Sequence, residues 1–199
     1  MLNVLIYYCN LIILILTLRR NENIVKRSHL IVITFISIYL ADLWSGIVHY
    51  VLDNYEGDCK KLKEGSIEFQ IHHDNPLLIL NDSLLHFHME TLELYFIPLG
   101  MNIANLVLKN TSRKKGLCYG ELVFCVIASL SQCSHKLTHW SNHEKEQSRK
   151  LRFVRWMQKR KLITDSKEHS AHHRTHDNNF CILNGWANPL MNKLAGFGR

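Results

Sequence analysis

The chain lacks the short signatures of most metal and redox proteins. None of its six cysteines, Cys9, Cys59, Cys118, Cys125, Cys133 and Cys181, forms a C-x-x-C pair. That excludes a zinc knuckle and a c-type haem attachment site, and the cysteines read as reduced, buried fillers rather than a disulfide framework. No H-E-x-x-H occurs: His143-Glu144 meets Gln147 where the second histidine would stand, which argues against a zinc metalloprotease. No E-x-x-H pair occurs, which argues against a carboxylate-bridged di-iron site of the ferritin-like kind. There is no G-x-G-x-x-G fingerprint, so the chain holds no flavin or nicotinamide of its own by this route. No nucleic-acid-binding motif is present. With three prolines, nine glycines, no internal repeat and no low-complexity stretch in 199 residues, no flexible linker divides the chain. A single domain over 1–199 is expected.

What the sequence does have is long apolar runs and histidine. The runs are Leu2–Leu18, Leu30–Leu52, Thr91–Leu108 and Leu117–Trp140, and residues 141–199 are mostly polar. Each run approaches or reaches the length that crosses a bilayer. The expectation is an all-α integral membrane protein with about four transmembrane helices, near 2–18, 30–52, 91–108 and 117–140, and a His-rich helical polar tail over 141–199. Pro98 and Gly100 suggest a kink in the third span. A soluble all-helical protein with an apolar core is the alternative. The first run has no basic segment before it and no small-residue cleavage site, so it reads as an anchor rather than a removable signal. Charge does not orient the spans. The loops with Arg19, Arg20, Lys26 and Arg27, and with Lys109, Arg113, Lys114 and Lys115, lie opposite a tail that is itself basic. The formal charge of +7, much of it in Arg149, Lys150, Arg152, Arg155, Lys159, Arg160 and Lys161, suits an anionic lipid surface or a solvated helix face. Phe153 and Trp156 in that run favour a lipid interface over nucleic acid.

The 13 histidines are grouped. His49 and Asp53 form H-x-x-x-D at the end of the second run. His72-His73 is a doublet before Asn75-Pro76. His86 and His88 precede the third run. His135 and His139 form H-x-x-x-H, and His169, His172 and His173 form H-x-x-H-H with His176 one turn on. Residues three and four apart share a helix face, so each pair can point at one ion. If four spans cross, these groups all fall on one side of the membrane. A single zinc needs only four ligands, and this set exceeds eight, which suggests two metals. Imidazole suits zinc, copper, iron or nickel, and iron with open positions suits oxygen chemistry. Asp42, Glu93 and Glu121 sit inside apolar runs, where carboxylates are costly, and are secondary site candidates beside a role in helix-to-helix hydrogen bonding.

Four segments, in order, resemble a known family. Asp42-Leu-Trp-Ser-Gly-Ile-Val-His-Tyr-Val-Leu-Asp53 is similar to the D-x-x-S-G-x-x-H-W-x-x-D segment of the plasmanylethanolamine desaturase family, also called Kua or lipid desaturase domain proteins. Phe69-Gln-Ile-His-His-Asp-Asn-Pro76 resembles its F-R-E-H-H-x-D-P, and His135-Lys-Leu-Thr-His139-Trp its H-K-W-S-H. His169-Ser-Ala-His-His173 followed by Asn179-Phe-Cys-Ile-Leu-Asn-Gly-Trp186 resembles H-R-I-H-H followed by Y-F-C-I-T-x-G-W. The F-C-I-x-x-G-W run is the most specific of these, because no metal role accounts for it. The pattern is also related to the histidine boxes of membrane fatty-acyl desaturases.

The resemblance implies a membrane-bound di-iron enzyme. It would use dioxygen to place a double bond in an alkyl or acyl chain of a phospholipid, as in vinyl-ether (plasmalogen) formation. It implies metal ligands His49, His72, His73, His135, His139, His169, His172 and His173, with Asp53 as ligand or neighbour. The family's R-H-D-F-I-E-T appears four residues late as Leu85-His-Phe-His-Met-Glu-Thr91, leaving His86, His88 and, ungapped, Asp82 as alternatives for a further ligand; His176 is another. Electrons would come from a cytochrome b5 or ferredoxin-type donor. A lipid hydroxylase keeps the same irons, and a non-catalytic metal-binding membrane protein is the rival from another class. The expected compartment is the endoplasmic reticulum or a general cell membrane rather than a plastid.

Overall fold

The computed structural model describes residues 2–20, 26–92 and 112–197, and among these there is helix and no strand. The helices are α1 (Leu2–Arg20), α2 (Arg27–Asp53), α3 (Lys60–Asp74), α4 (Leu84–Leu92), α5 (Ser112–Ala128), α6 (Ser131–His143), α7 (Arg149–Lys159), α8 (Ser166–Thr175) and α9 (Asn188–Phe197). A short 3₁₀ turn spans Leu78–Leu80. Most of the expected third span, including Glu93, lies outside the described residues.

Two stretches, Arg27–Asp53 and Gly116–His143, are long and apolar enough to cross a bilayer. Along α2, Ile31, Val32, Phe35 and Ile36 are each more than half exposed, between 53% and 59%. A core helix of a soluble protein would bury such a row, so this surface suits a lipid neighbour. The expected span 117–140 lies inside the second of these stretches, which carries a two-residue turn. Ser129 and Leu130 form a turn in which the Leu130 amide reaches back to Ile127 and the Ser129 hydroxyl donates to the Val126 carbonyl, closing α5. α6 then begins with a different composition: Ser131, Ser134, His135, Thr138, His139 and Ser141 are its buried residues.

The chain divides into two units, 1–41 with 88–130, and 42–87 with 131–199. In the first, α1 packs on α5. Tyr7 and Leu14 of α1 and Cys118, Cys125 and Ala128 of α5 are buried, and the Tyr7 hydroxyl donates to the Cys125 carbonyl over 3.3 Å. Gly120 lets α2 come close, for a Cβ there would lie 3.0 Å from Ile33 Cγ2.

The second unit carries the polar helices. α7 starts at Ser148, whose side chain accepts the Leu151 amide, and it buries Leu151, Val154 and Gln158. α8 starts at Asp165, whose carboxylate accepts the Lys167 amide. It stops at His176, which takes φ 54° and returns its amide to the His172 carbonyl. That left-handed residue turns the chain into an extended loop, 177–187, where Phe180, Cys181, Ile182 and Leu183 are all buried. The loop lies on one face of α2. Asp42, Ser45, Gly46 and His49 recur at helical spacing, and a Cβ on Gly46 would meet Cys181 Sγ at 2.6 Å and the Cys181 amide nitrogen at 3.3 Å. Gly46→Val is therefore expected to destabilise the protein by about 1–3 kcal/mol through overpacking. A thermal unfolding midpoint equal to that of the wild type would contradict this packing.

Candidate metal centre

Four helices of the second unit bring nitrogen and oxygen ligands together in two groups. His72, His135, His139, His169 and His173 form one, and His49, Asp53, His73 and His172 the other. Within each group the ligand atoms lie within 4.8 Å of one another. The helical spacings place the pairs: His49 with Asp53 on α2, His135 with His139 on α6, and His169 with His173 on α8, each four residues apart. The doublets behave differently. Neighbouring residues on a helix point about 100° apart, so His72 and His73 face different groups, and so do His172 and His173. Their ring centroids stand 6.0 Å and 5.8 Å apart. Each doublet serves both groups at once.

In the five-histidine group His135 is central. Its Nε2 lies 3.1 Å from His72 Nε2, 3.1 Å from His139 Nε2 and 2.9 Å from His169 Nε2. His169 Nε2 is 2.7 Å from His139 Nε2 and 3.0 Å from His173 Nε2. In the other group the Asp53 carboxylate is central. His49, His73 and His172 present Nε2 to it at 3.5, 3.6 and 3.4 Å.

These residues fit a pair of metal ions on grounds of proton accounting. A neutral imidazole has one N–H. His49 donates from Nδ1 to the Phe180 carbonyl at 3.0 Å, His172 from Nδ1 to the Asn178 carbonyl at 2.7 Å, and His135 from Nδ1 to Gln132 Oε1 at 3.0 Å. Each of these rings then turns a bare Nε2 lone pair into its group. His49 Nε2 and both Asp53 oxygens are buried without a hydrogen-bond partner. Converging lone pairs and a carboxylate repel one another unless a cation sits among them. Protons do not fill that role. Burial above all, then the neighbouring imidazoles, lowers His72 to about 3, His73 to about 4 and His173 to about 2, and moves His169 down as well. Neutral imidazole is the form that binds metal.

The groups contain nine of the ten residues singled out as first-choice ligands. His86 is the tenth and stands outside both. Its amide is taken by the Ser83 hydroxyl, which opens α4, and its ring is exposed beside Phe87. His88 belongs to the first unit, where Nδ1 donates to the Ser129 carbonyl and Nε2 faces the Tyr8 hydroxyl. Asp82 is exposed, and its carbonyl accepts the Lys136 ammonium. His176 is in neither group but lies flat on His73, centroids 4.4 Å apart. Gln132 and the carbonyls of Asn178 and Phe180, which set ring orientation, were missed. Backbone acceptors leave no residue-type signal. The one hint was F-C-I-x-x-G-W, conspicuous for having no ligand in it.

Helices without strands among the described residues, and eight of the thirteen histidines gathered in two adjoining ligand groups, define a class of helical protein able to bind metal. The particular family follows from sequence comparison: the lipid desaturase domain matches residues 38–199, and the chain belongs to that family. Among curated proteins it is similar to three from Arabidopsis thaliana. Fatty acid desaturase 4, chloroplastic, is 29% identical over 157 residues, covering 76% of this chain and 44% of the relative. Fatty acid desaturase 4-like 2, chloroplastic, is 27% identical over 168 residues, covering 82% and 55%. Fatty acid desaturase 4-like 1, chloroplastic, is 25% identical over 158 residues, covering 77% and 49%. The chain thus spans about half the length of the curated relatives it matches. Their names place those proteins in the chloroplast, opposite to the compartment expected from the sequence. No solved structure matches the chain.

Proposed function

We propose that this chain is a membrane lipid desaturase whose two ligand groups hold two iron ions. The observation that carries the reading is the splitting of both histidine doublets between a five-ligand and a four-ligand group, in a member of the lipid desaturase domain family. Bound there, the irons would supply the dioxygen chemistry that removes two hydrogens from adjacent carbons, so that chain, dioxygen, two electrons and two protons become alkene and two waters. The protein's part is to hold and orient the rings and to keep water away. Phe69 and Phe180 pack edge-on against His49, at 5.0 and 6.1 Å between centroids, and Phe180 also covers His172 at 5.0 Å. The electrons come from a cytochrome b5 or ferredoxin-type partner.

The substrate is a phospholipid, and the reading extends to a multi-pass protein with four spans. On α7, Phe153 and Trp156 are exposed and stacked at 5.8 Å between centroids, amid Arg152, Arg155 and Lys159. A paired aromatic surface ringed by cations suits the headgroup level of a bilayer. The product in the first reading is a vinyl ether, as in plasmanylethanolamine desaturation. The relatives' names favour a second: a double bond in a fatty acyl chain.

The test is a lipid profile of host membranes expressing the chain beside its His172→Ala/His173→Ala variant, with iron and a reductase supplied. Acid-labile vinyl ethers or new acyl double bonds in the wild type alone are the expected result, and the product selects the substrate. Hydroxylated lipid would keep the metals and replace the reaction. Identical profiles from two folded proteins would remove lipid desaturation and leave metal binding alone.

A further inference from the structure

The two ligand groups differ in what stands behind them. In the four-ligand group, two of three imidazoles take their orientation from one loop, through the carbonyls of Asn178 and Phe180. That loop is held by a fully buried carboxylate seven residues before His49. Asp42 is 0% exposed, and its Oδ1 accepts the amides of Asn184 at 2.9 Å and Gly185 at 3.1 Å. Its Oδ2 accepts the amide of Ala187 at 2.8 Å, just before α9 begins. One turn on, the Ser45 hydroxyl accepts the Ile182 amide at 3.2 Å and donates to the Asp42 carbonyl at 2.7 Å. A carboxylate taking three backbone amides at a helix start is strongly stabilised and strongly directional. In the five-histidine group the loop touches the helices beside the ligands, where Ser134 donates to the Leu183 carbonyl and the Asn179 side chain to the Glu168 carbonyl, but among the described residues it fixes no ring: His135 is oriented through Nδ1 by Gln132.

We propose that Asp42 is a positioning residue for the four-ligand group alone: its buried carboxylate clasps loop 177–187 to α2, and the loop's carbonyls then fix the rings of His49 and His172. This gives the residues around His49 and the F-C-I-x-x-G-W run one shared purpose. The first supplies the clasp and a ligand on one helix face, and the second is the strap that the clasp closes. Gly46 allows the strap to lie flat on the helix. The inference rests on reading the two groups as metal sites.

Asp42→Asn is the informative change. The side chain keeps its shape but exchanges one acceptor for an NH₂ group. In either amide orientation at least one buried backbone N–H then faces another donor. The experiment is a cobalt(II) titration of the full-length protein in detergent, followed by its visible absorption, with thermal unfolding measured in parallel. The wild type is expected to take up two equivalents. Asp42→Asn is expected to bind the first within about threefold of the wild type and the second at least about tenfold more weakly, the scale of an outer-layer loss. Adding His49→Ala to Asp42→Asn should weaken the second equivalent further and leave the first unchanged, whereas adding His139→Ala should weaken the first as well. Ser45→Ala, which removes one amide acceptor of the strap, should show the same selectivity more mildly. Two equivalents bound as in the wild type, or equal weakening of both, would overturn the clasp. A wild type that binds no cobalt would instead remove the metal reading itself, and the clasp with it.

Discussion

Metal bound per chain is expected to fall from two ions to one in His173→Ala, and again to one in His172→Ala, with a different ion lost in each case. The doublet on α8 divides between the groups, with His173 beside His169 and His139, and His172 beside His73 and Asp53. Removing a ligand should cost at least as much as removing an outer-layer partner, about 10–100-fold in metal affinity. The same division holds on α3: His72→Ala should behave like His173→Ala, and His73→Ala like His172→Ala. Pairing the changes gives the sharper result. His72→Ala with His173→Ala still leaves one iron, because both losses fall on one group. His72→Ala with His172→Ala leaves none. Metal analysis of the purified variants reads this directly, with lipid product absent in all of them. If both double variants kept one iron, the assignment of ligands to groups would be wrong.

The metal-free protein is expected to be much less stable and to lose stability further in mild acid. An ion at 1,000 times its dissociation constant contributes about 4 kcal/mol to the folded state, so chelation should lower the thermal midpoint by several degrees. Without metal, His72 and His73 titrate near 3 and 4 because burial first, and neighbouring histidines second, oppose their charged form. In the unfolded chain they titrate near about 6.5. Between about pH 6.5 and 4 the unfolded chain therefore carries protons that the folded one refuses, and each such histidine tilts the balance toward unfolding by up to about 1.4 kcal/mol per pH unit. Stability from these residues is complete above about pH 6.5 and falls as the pH drops through that window. The check is the midpoint of the chelated protein at pH 7.5, 6 and 5. A midpoint independent of pH over that range would mean that the imidazoles are not buried as described.

Much of the site was legible in the sequence because helix periodicity carries it. H-x-x-x-D, H-x-x-x-H and H-x-x-H-H put ligands on shared faces whatever the tertiary packing. The number of candidate ligands points to more than one metal, but which histidine of each doublet serves which group depends on how α3 and α8 are rotated in the packed structure, and no local pattern encodes that. His86 shows the same limit: the displaced motif preserves a histidine, but its place outside both groups depends on how α4 packs and not on local spacing. The run 117–140 falls within a helical stretch, Gly116–His143, long and apolar enough for one span, but hydropathy averages over a window. The turn at Ser129-Leu130 is set by two residues and is invisible at that scale. Asp42 stands out for its cost in an apolar run, while its partners, amides about 140 residues away, leave no mark in the sequence.

The order of the ligands along the chain has a consequence for biosynthesis. His49, Asp53, His72, His73, His135 and His139 are all synthesised before α8, which brings one ligand to the second group and two to the first. Until α8 docks, each group offers three ligands: His72, His135 and His139 in one, His49, Asp53 and His73 in the other. Three protein ligands are the complement with which proteins hold catalytic zinc, and zinc outcompetes ferrous iron for such sets. For an iron site of the kind proposed, early contact of the nascent chain with zinc would be a route to mismetallation, and the order of synthesis keeps three-ligand sets exposed until α8 docks.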